Sequence, residues 1–268
     1  MSQLKTALFA LMLFTLYDCR HKAWSASEAL IEVDPQDISV QVNPLVFGTN
    51  MIAYNPATFE KRSKPYYGLS NYGAGIWDPS ARSVNPEVAA LAKEVGVTIA
   101  RFPGGCGTHH YNWKNTIGPV EGRPNFQYWL DEFMRTCESI GCESVITVSY
   151  YTGTESDAAD LVEYLNSPND GTNPGGGTDW AALRAANGRE EPYHVTYFEF
   201  GNEEYHGEHK DMKKVSGTEY GRKFIKYSRA MKAIDPRIKL GAVTVNPAQT
   251  YYSGWNEKVF ATAGLYID

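Results

Sequence analysis

Apolar positions along the chain form one run first, interrupted only by Thr15, and then fall into two alternating rhythms. The run, residues 7–17 behind Lys5, is too short for a helix of about 20 residues crossing a bilayer but suits the core of a secretory leader. Ala23 and Ser25 supply the small residues of a cleavage site, so residues 1–25 are expected to be a signal peptide and the protein to be secreted or periplasmic. A lipoprotein anchor at Cys19 is the lesser alternative, because Asp18 before it is neither small nor apolar, and a buried N-terminal helix is a third. Residues 31–33 and 38–42 then alternate apolar with polar, which predicts a short β preface over residues 26–44.

From Leu45 the rhythm changes to short apolar strands alternating with amphipathic helices. Strands are expected at 45–49, 98–102, 144–149, 195–200 and 239–245, each bounded by turn residues, as parallel strands buried on both faces are. Helices are expected at 86–94, 126–140, 155–165 and 219–234. Phe126, Trp129, Phe133, Cys137 and Ile140 fall on one helix face, Pro86 sits in a first turn, and Gly96 and Gly141 follow helix ends. The stretch 167–178, built largely from Pro, Gly, Asn and Asp, is a loop, and a long aromatic connection runs from Tyr54 to Asn85.

Such βα alternation leaves two architectures, an open doubly wound sheet or a (β/α)8 barrel. Five strands are present, and residues 265–267 resemble the opening of a sixth, whereas a barrel needs eight. No GxGxxG follows the first strand, where Gly48, Thr49 and Asn50 stand, which disfavours a nucleotide-binding open sheet. The fold class expected is α/β, a partial (β/α)8 TIM barrel of about five to six βα units over residues 45–268.

Composition narrows the chemistry. At 268 residues a sizeable core is available, and a net charge of −6 with no basic run argues against nucleic acid as a partner. The 18 tyrosines and six tryptophans exceed ordinary packing needs, and such rings suit sugar faces, although most are expected in the core and rim. Beyond the leader Cys106, Cys137 and Cys142 remain, an odd number with no CxxC spacing. His109 with His110, and His206 with His209, lack the HExxH spacing of a helical zinc site, so no metal and no cofactor is expected.

Two motifs carry candidate chemistry. In F-E-F-G-N-E-E, Phe198 to Glu204, Glu203 follows the fourth strand. A carboxyl at a barrel strand end points into the mouth, where it can be held protonated until it donates as a general acid. The competing reading makes Glu203 and Glu204 a solvated loop pair. In R-F-P-G-G-C, Arg101 to Cys106, two glycines let the backbone approach a ligand while Arg101 can orient a carboxylate from the barrel floor, or serve only as a buried arginine beside a turn.

Taken in order with Y-N-W at 111–113, I-G-P at 117–119, D-E-F at 131–133 and L-R-A-A-N-G at 183–188, these motifs resemble the α-L-arabinofuranosidases of glycoside hydrolase family 51 from about Phe47 to Asp268. The resemblance implies a retaining barrel hydrolase with its acid/base on strand four and a nucleophilic Glu on strand seven. By position it implies that Glu203 is the acid/base and that Asn202 contacts the sugar 2-hydroxyl. Cys106, Arg101, Trp113 and His206 complete the candidate sugar-contacting set. The residues after the first strand, Gly48 to Ile52, depart from the family's aromatic and Glu, which touches substrate identity.

No counterpart of the strand-seven Glu occurs within the 268 residues. The chain is therefore expected to be the N-terminal portion of a retaining enzyme acting on arabinose-containing oligo- or polysaccharide, inactive alone. The alternatives are a non-catalytic carbohydrate-binding barrel fragment or a related barrel glycosidase with another substrate. No feature specifies an oligomeric state.

Overall fold

The computed structural model describes residues 41–51, 75–78, 80–123, 128–206, 213–246, 248 and 252–268. The expected leader lies outside these residues, as does the β preface except for residues 41–44, which form no strand. Residues Asn43–Asp268 form one compact unit.

Five parallel strands make its sheet: β1 (Gly48–Asn50), β2 (Ile99–Phe102), β3 (Glu143–Val148), β4 (Tyr197–Phe200) and β5 (Lys239–Ala242), hydrogen-bonded in sequence order. The register sets Asn50 beside Arg101, Arg101 beside Val145, and Thr147 beside Glu199. All five strands thus deliver their carboxyl ends to the same edge. A two-stranded antiparallel ribbon, Trp77–Asp78 with Ser83–Val84, precedes the first helix.

Six α-helices are described: α1 (Pro86–Glu94), α2 (Leu130–Ile140), α3 (Glu155–Asn166), α4 (Trp180–Ala186), α5 (Gly217–Ile234) and α6 (Trp255–Ala263). Their starts are chemically marked. The Asn85 side chain accepts the amides of Glu87 and Val88 ahead of Pro86. Thr154 and Asp157 exchange hydrogen bonds as a capping box at α3. Glu132 accepts the Trp129 amide at 3.0 Å at the start of α2 while its carboxylate binds buried Arg123. No described helix is long and apolar enough to cross a membrane.

The expected aromatic face of α2 is buried: Phe133, Cys137 and Ile140 pack beneath β2, with Phe102 stacked 4.7 Å from Phe133. Phe126 lies outside the described residues. Under β4, Phe200 contacts Tyr220, Phe224 and Tyr227 of α5. Tyr220 is fully buried, yet its hydroxyl donates to the Phe200 carbonyl at 2.6 Å and accepts the Val243 amide at 2.9 Å, joining the ends of β4 and β5.

Three expectations need correction. The first strand does not begin at Leu45, because Pro44–Val46 form a 3-10 turn capped by Asn43. Val195 is extended but outside the ladder: the Asn166 side chain donates to its carbonyl and accepts its amide, both at 2.8 Å, so the strand starts at Tyr197. The sixth strand expected at 265–267 is a 3-10 turn over Gly264–Tyr266. Tyr266 is held there by Arg229, and only past it does the chain extend, where Asp268 accepts the Leu240 amide at 2.8 Å.

Arg184 fixes the approach to β4. Its side chain is fully buried and donates to the carbonyls of Tyr164 (2.8 Å), Glu190 (2.8 Å) and Arg189 (3.2 Å). Arg184→Met strips these carbonyls of their donor, and with about 1–3 kcal/mol per unsatisfied buried group the expected loss is about 3 kcal/mol or more. A lowered urea midpoint shows it. Arg184→Lys recovers only part, because a single ammonium cannot reach three divergent oxygens.

Candidate active site

The carboxyl ends of the strands gather a connected polar group. Arg101 of β2 forms an ion pair through Nε with Glu199 of β4, and Thr147 of β3, lying between them, donates its hydroxyl to the same Glu199 oxygen at 2.5 Å. The other arm of the guanidinium, Nη2, donates to Asn202 Oδ1 at 3.1 Å. Arg101 thus holds the carboxylate on the barrel floor and the amide at its mouth together.

Asn202 is buried and fixed from several sides. Its backbone amide donates to Glu204 Oε1 at 2.6 Å, and its side-chain Nδ2 lies 4.0 Å from Cys106 Sγ. Its carbonyl lies 2.6 Å from His109 Nε2; a carbonyl only accepts, so this nitrogen carries the proton. His109 is fully buried, 4.9 Å from the Tyr151 ring. Two glycines permit this crowding. A Cβ on Gly104 would come 2.1 Å from Asn50 Oδ1, and one on Gly201 would come 2.1 Å from Glu204 Oε1, while both residues hold a positive φ.

Glu203 and Glu204 have opposite environments, so they are not a solvated pair. Glu203 has φ of +58° and a side chain 47% exposed at the strand end. Tyr205 donates to its Oε1 at 3.0 Å, and His206 Nε2 lies 3.2 Å from its Oε2. Tyr205 packs 4.6 Å from the Tyr252 ring. Glu204 is wholly buried, and its Oε2 meets no hydrogen-bond partner among the described residues. Burial, opposed by the Asn202 amide, pushes its carboxyl up to about 7.

Of the residues singled out from the sequence, Arg101, Cys106, Asn202, Glu203 and His206 lie in this group. Trp113 does not. It is buried between Tyr164 and Trp180, and its indole donates to the Asp157 carbonyl at 2.9 Å, so it belongs to the packing of α3 and α4. Among the described residues no cluster of three His, Cys, Asp or Glu side chains could hold a metal ion.

Residues 91–264 match the family model of the alpha-L-arabinofuranosidase 1 domain. This chain belongs to the α-L-arabinofuranosidases of glycoside hydrolase family 51. It is 33% identical over 191 residues to a probable alpha-L-arabinofuranosidase C of Aspergillus clavatus, covering 65% of this chain and 36% of that protein. It is 32% identical over 197 residues to an intracellular exo-alpha-(1->5)-L-arabinofuranosidase of Acetivibrio thermocellus, covering 68% and 37%. Among solved structures, a family 51 alpha-L-arabinofuranosidase from Bifidobacterium longum matches with a TM-score of 0.67 at 28% identity, over 85% of this chain and 44% of that one. The Thermotoga maritima alpha-L-arabinofuranosidase, solved as an arabinose complex, gives 0.59 at 31% identity, over 69% and 38%. The family 51 chain described here thus spans little more than a third of the length of these curated relatives, and its five βα units are part of a TIM barrel.

Several members of the group were not singled out as site residues from the sequence. Glu199 lies between core residues Phe198 and Phe200, and Thr147 between Ile146 and Val148, and that alternation of polar with apolar is the signal that could have found them. Asn50 and His109 carry no such signal: Asn50 ends the three-residue strand β1, and His109 lies in a 3-10 turn over Gly105–His110.

The raised carboxyl of Glu204 has a consequence for stability. The unfolded chain loses this proton near the ordinary value of 4.5, the folded protein near 7. Between these values the folded state binds more protons, so its stability is fullest below about 4.5 and falls as pH rises through about 7, by about 3 kcal/mol for this group. Urea midpoints at about pH 5 and about pH 8 measure the decline. Glu204→Gln, which does not titrate, is expected to flatten it.

Proposed function

We propose that this domain carries the acid/base half of a retaining α-L-arabinofuranosidase acting on arabinose-containing oligo- or polysaccharide. The observation that carries the reading is the half-exposed Glu203 carboxyl at the carboxyl end of β4, in a chain of this family. In such a site Glu203 protonates the leaving oxygen and then deprotonates the water that releases the sugar. Asn202, its side chain steadied by Arg101, is placed to receive the sugar 2-hydroxyl. Cys106 lies beside the Asn202 side chain and His206 beside the Glu203 carboxyl.

A retaining mechanism requires a second carboxylate about 5–5.5 Å from the first. Glu199 is occupied by Arg101 and Thr147, and Glu204 is buried, so neither is suited to attack the anomeric carbon. As the family resemblance implies, the nucleophile is assigned here to a Glu on strand seven, in barrel units beyond these five strands. Exposed Val46, Phe47, Leu91 and Val95 at the β1 side, and Phe260 and Leu265 at the β5 side, are apolar surface that such units would cover. The apolar run at 7–17 is proposed as a secretion signal, which N-terminal sequencing of exported protein checks.

Glu203→Ala, made in the protein that carries the complete barrel, is expected to leave the fold intact and remove general-acid assistance worth roughly 10²–10⁴ in rate. The loss falls on arabinosides with poor leaving groups, while aryl arabinosides with acidic leaving groups are cleaved to the glycosyl-enzyme almost normally. Azide then restores their turnover, giving the arabinosyl azide. Near-normal hydrolysis of a natural arabinoside by Glu203→Ala would refute the assignment. Sugar binding without turnover by the unmutated protein would support a carbohydrate-binding module instead.

A further inference from the structure

The turn that presents Glu203 is held by a carboxyl group that does not reach solvent. Glu203 is a non-glycine residue at φ +58°, a left-handed conformation that persists only where its surroundings impose it. Both neighbours are pinned. The Glu204 side chain folds back over Gly201, close enough that any Cβ there would meet its oxygen, and its Oε1 takes the Asn202 amide at 2.6 Å. The Glu204 carbonyl takes the Val215 amide at 3.0 Å, tying the far side of the turn to the chain just before α5. His109 Nε2, which binds the Asn202 carbonyl, stands 4.0 Å from Glu204 Oε1.

An apolar residue would avoid the unpaired buried oxygen that Glu204 Oε2 is, but it would leave the buried Asn202 amide without its acceptor. What the carboxyl supplies is one acceptor aimed at one amide, that of the residue preceding the acid/base. From this geometry we propose that Glu204 is a positioning residue for Glu203: by accepting the Asn202 amide above Gly201, it locks the left-handed turn and so sets the direction from which Glu203 meets the leaving oxygen. The proposal rests on Glu203 being the acid/base, and it adds that the neighbouring glutamate, never in contact with substrate, governs how well proton transfer is aligned.

The test uses leaving-group dependence in the protein that carries the complete barrel. Glu204→Leu keeps the volume and removes the acceptor; Glu204→Gln keeps an acceptor oxygen. With alignment lost, kcat of Glu204→Leu on an unactivated arabinoside is expected to fall about 10- to 100-fold with KM within about threefold, while the glycosylation step for an aryl arabinoside with an acidic leaving group changes less than about threefold. Azide restores nothing, because the Glu203 carboxylate still fills its place. Glu204→Gln is expected to stay within about threefold of the unmutated protein on both substrates.

An equal fall on both substrates would show a merely structural role and overturn the proposal, and so would no fall on either. If Glu204→Leu does not fold, Glu204→Gln decides: a loss beyond about tenfold on the unactivated substrate overturns it, and retention supports it. Glu203→Ala run alongside separates the two assignments. If that variant lacks leaving-group dependence, the acid/base assignment has failed; if it shows it and the Glu204 variants do not follow the pattern above, only the positioning role has failed.

Discussion

Everything at the mouth of this partial barrel hangs from one ion pair. Arg101 and Glu199 sit two strands apart, and the guanidinium bridges the distance over Thr147, which hydrogen-bonds the same carboxylate oxygen. Charge inside a barrel is costly unless it is paired and hydrogen-bonded, and here Arg101 supplies the pairing and Thr147, in register with Glu199, the further hydrogen bond. The remaining arm of Arg101 reaches upward to Asn202. Through that contact the strands' register, set by ordinary backbone ladders, passes to the residue that adjoins Glu203.

The next level is a contrast between adjacent residues. Glu203 and Glu204 are the same side chain one position apart, yet one is half exposed and the other sealed. A left-handed residue at 203 turns the chain so that its neighbour's carboxyl folds back against Gly201. Buried aromatic rings make the support rigid: Tyr150, Phe200 and Tyr220 pack within 5.9 Å of one another, and the Tyr220 hydroxyl ties the ends of β4 and β5. Among the described tyrosines, Tyr128, Tyr164, Tyr220 and Tyr227 serve in this way, buried with their hydroxyls hydrogen-bonded.

Strand positions were legible because runs such as the one ending in Phe200 are apolar and punctuated by glycine, and the carboxyl end of β4 could be read as a site because F-G-N-E follows it directly. Other features depend on contacts distant in sequence. Val195 reads as strand, but an asparagine 29 residues earlier takes its ladder bonds. Helix α6 begins at Gly254 in a left-handed conformation without a side-chain cap, so no start signal marks it. Trp113 reads as a binding aromatic because exposure cannot be told from composition, and it lies in the core. The burial of Glu204 was invisible for the same reason.

The most direct test of the central claim, that Glu203 at the end of β4 faces the scissile bond, is a crystal structure of the complete-barrel protein with an arabinofuranose-configured iminosugar or an unhydrolysed arabinoside. The account predicts a Glu203 carboxyl oxygen about 2.6–3.2 Å from the glycosidic position, with the sugar 2-hydroxyl on Asn202. A sugar bound with its anomeric carbon turned away from Glu203, or seated at a different end of the sheet, would contradict it.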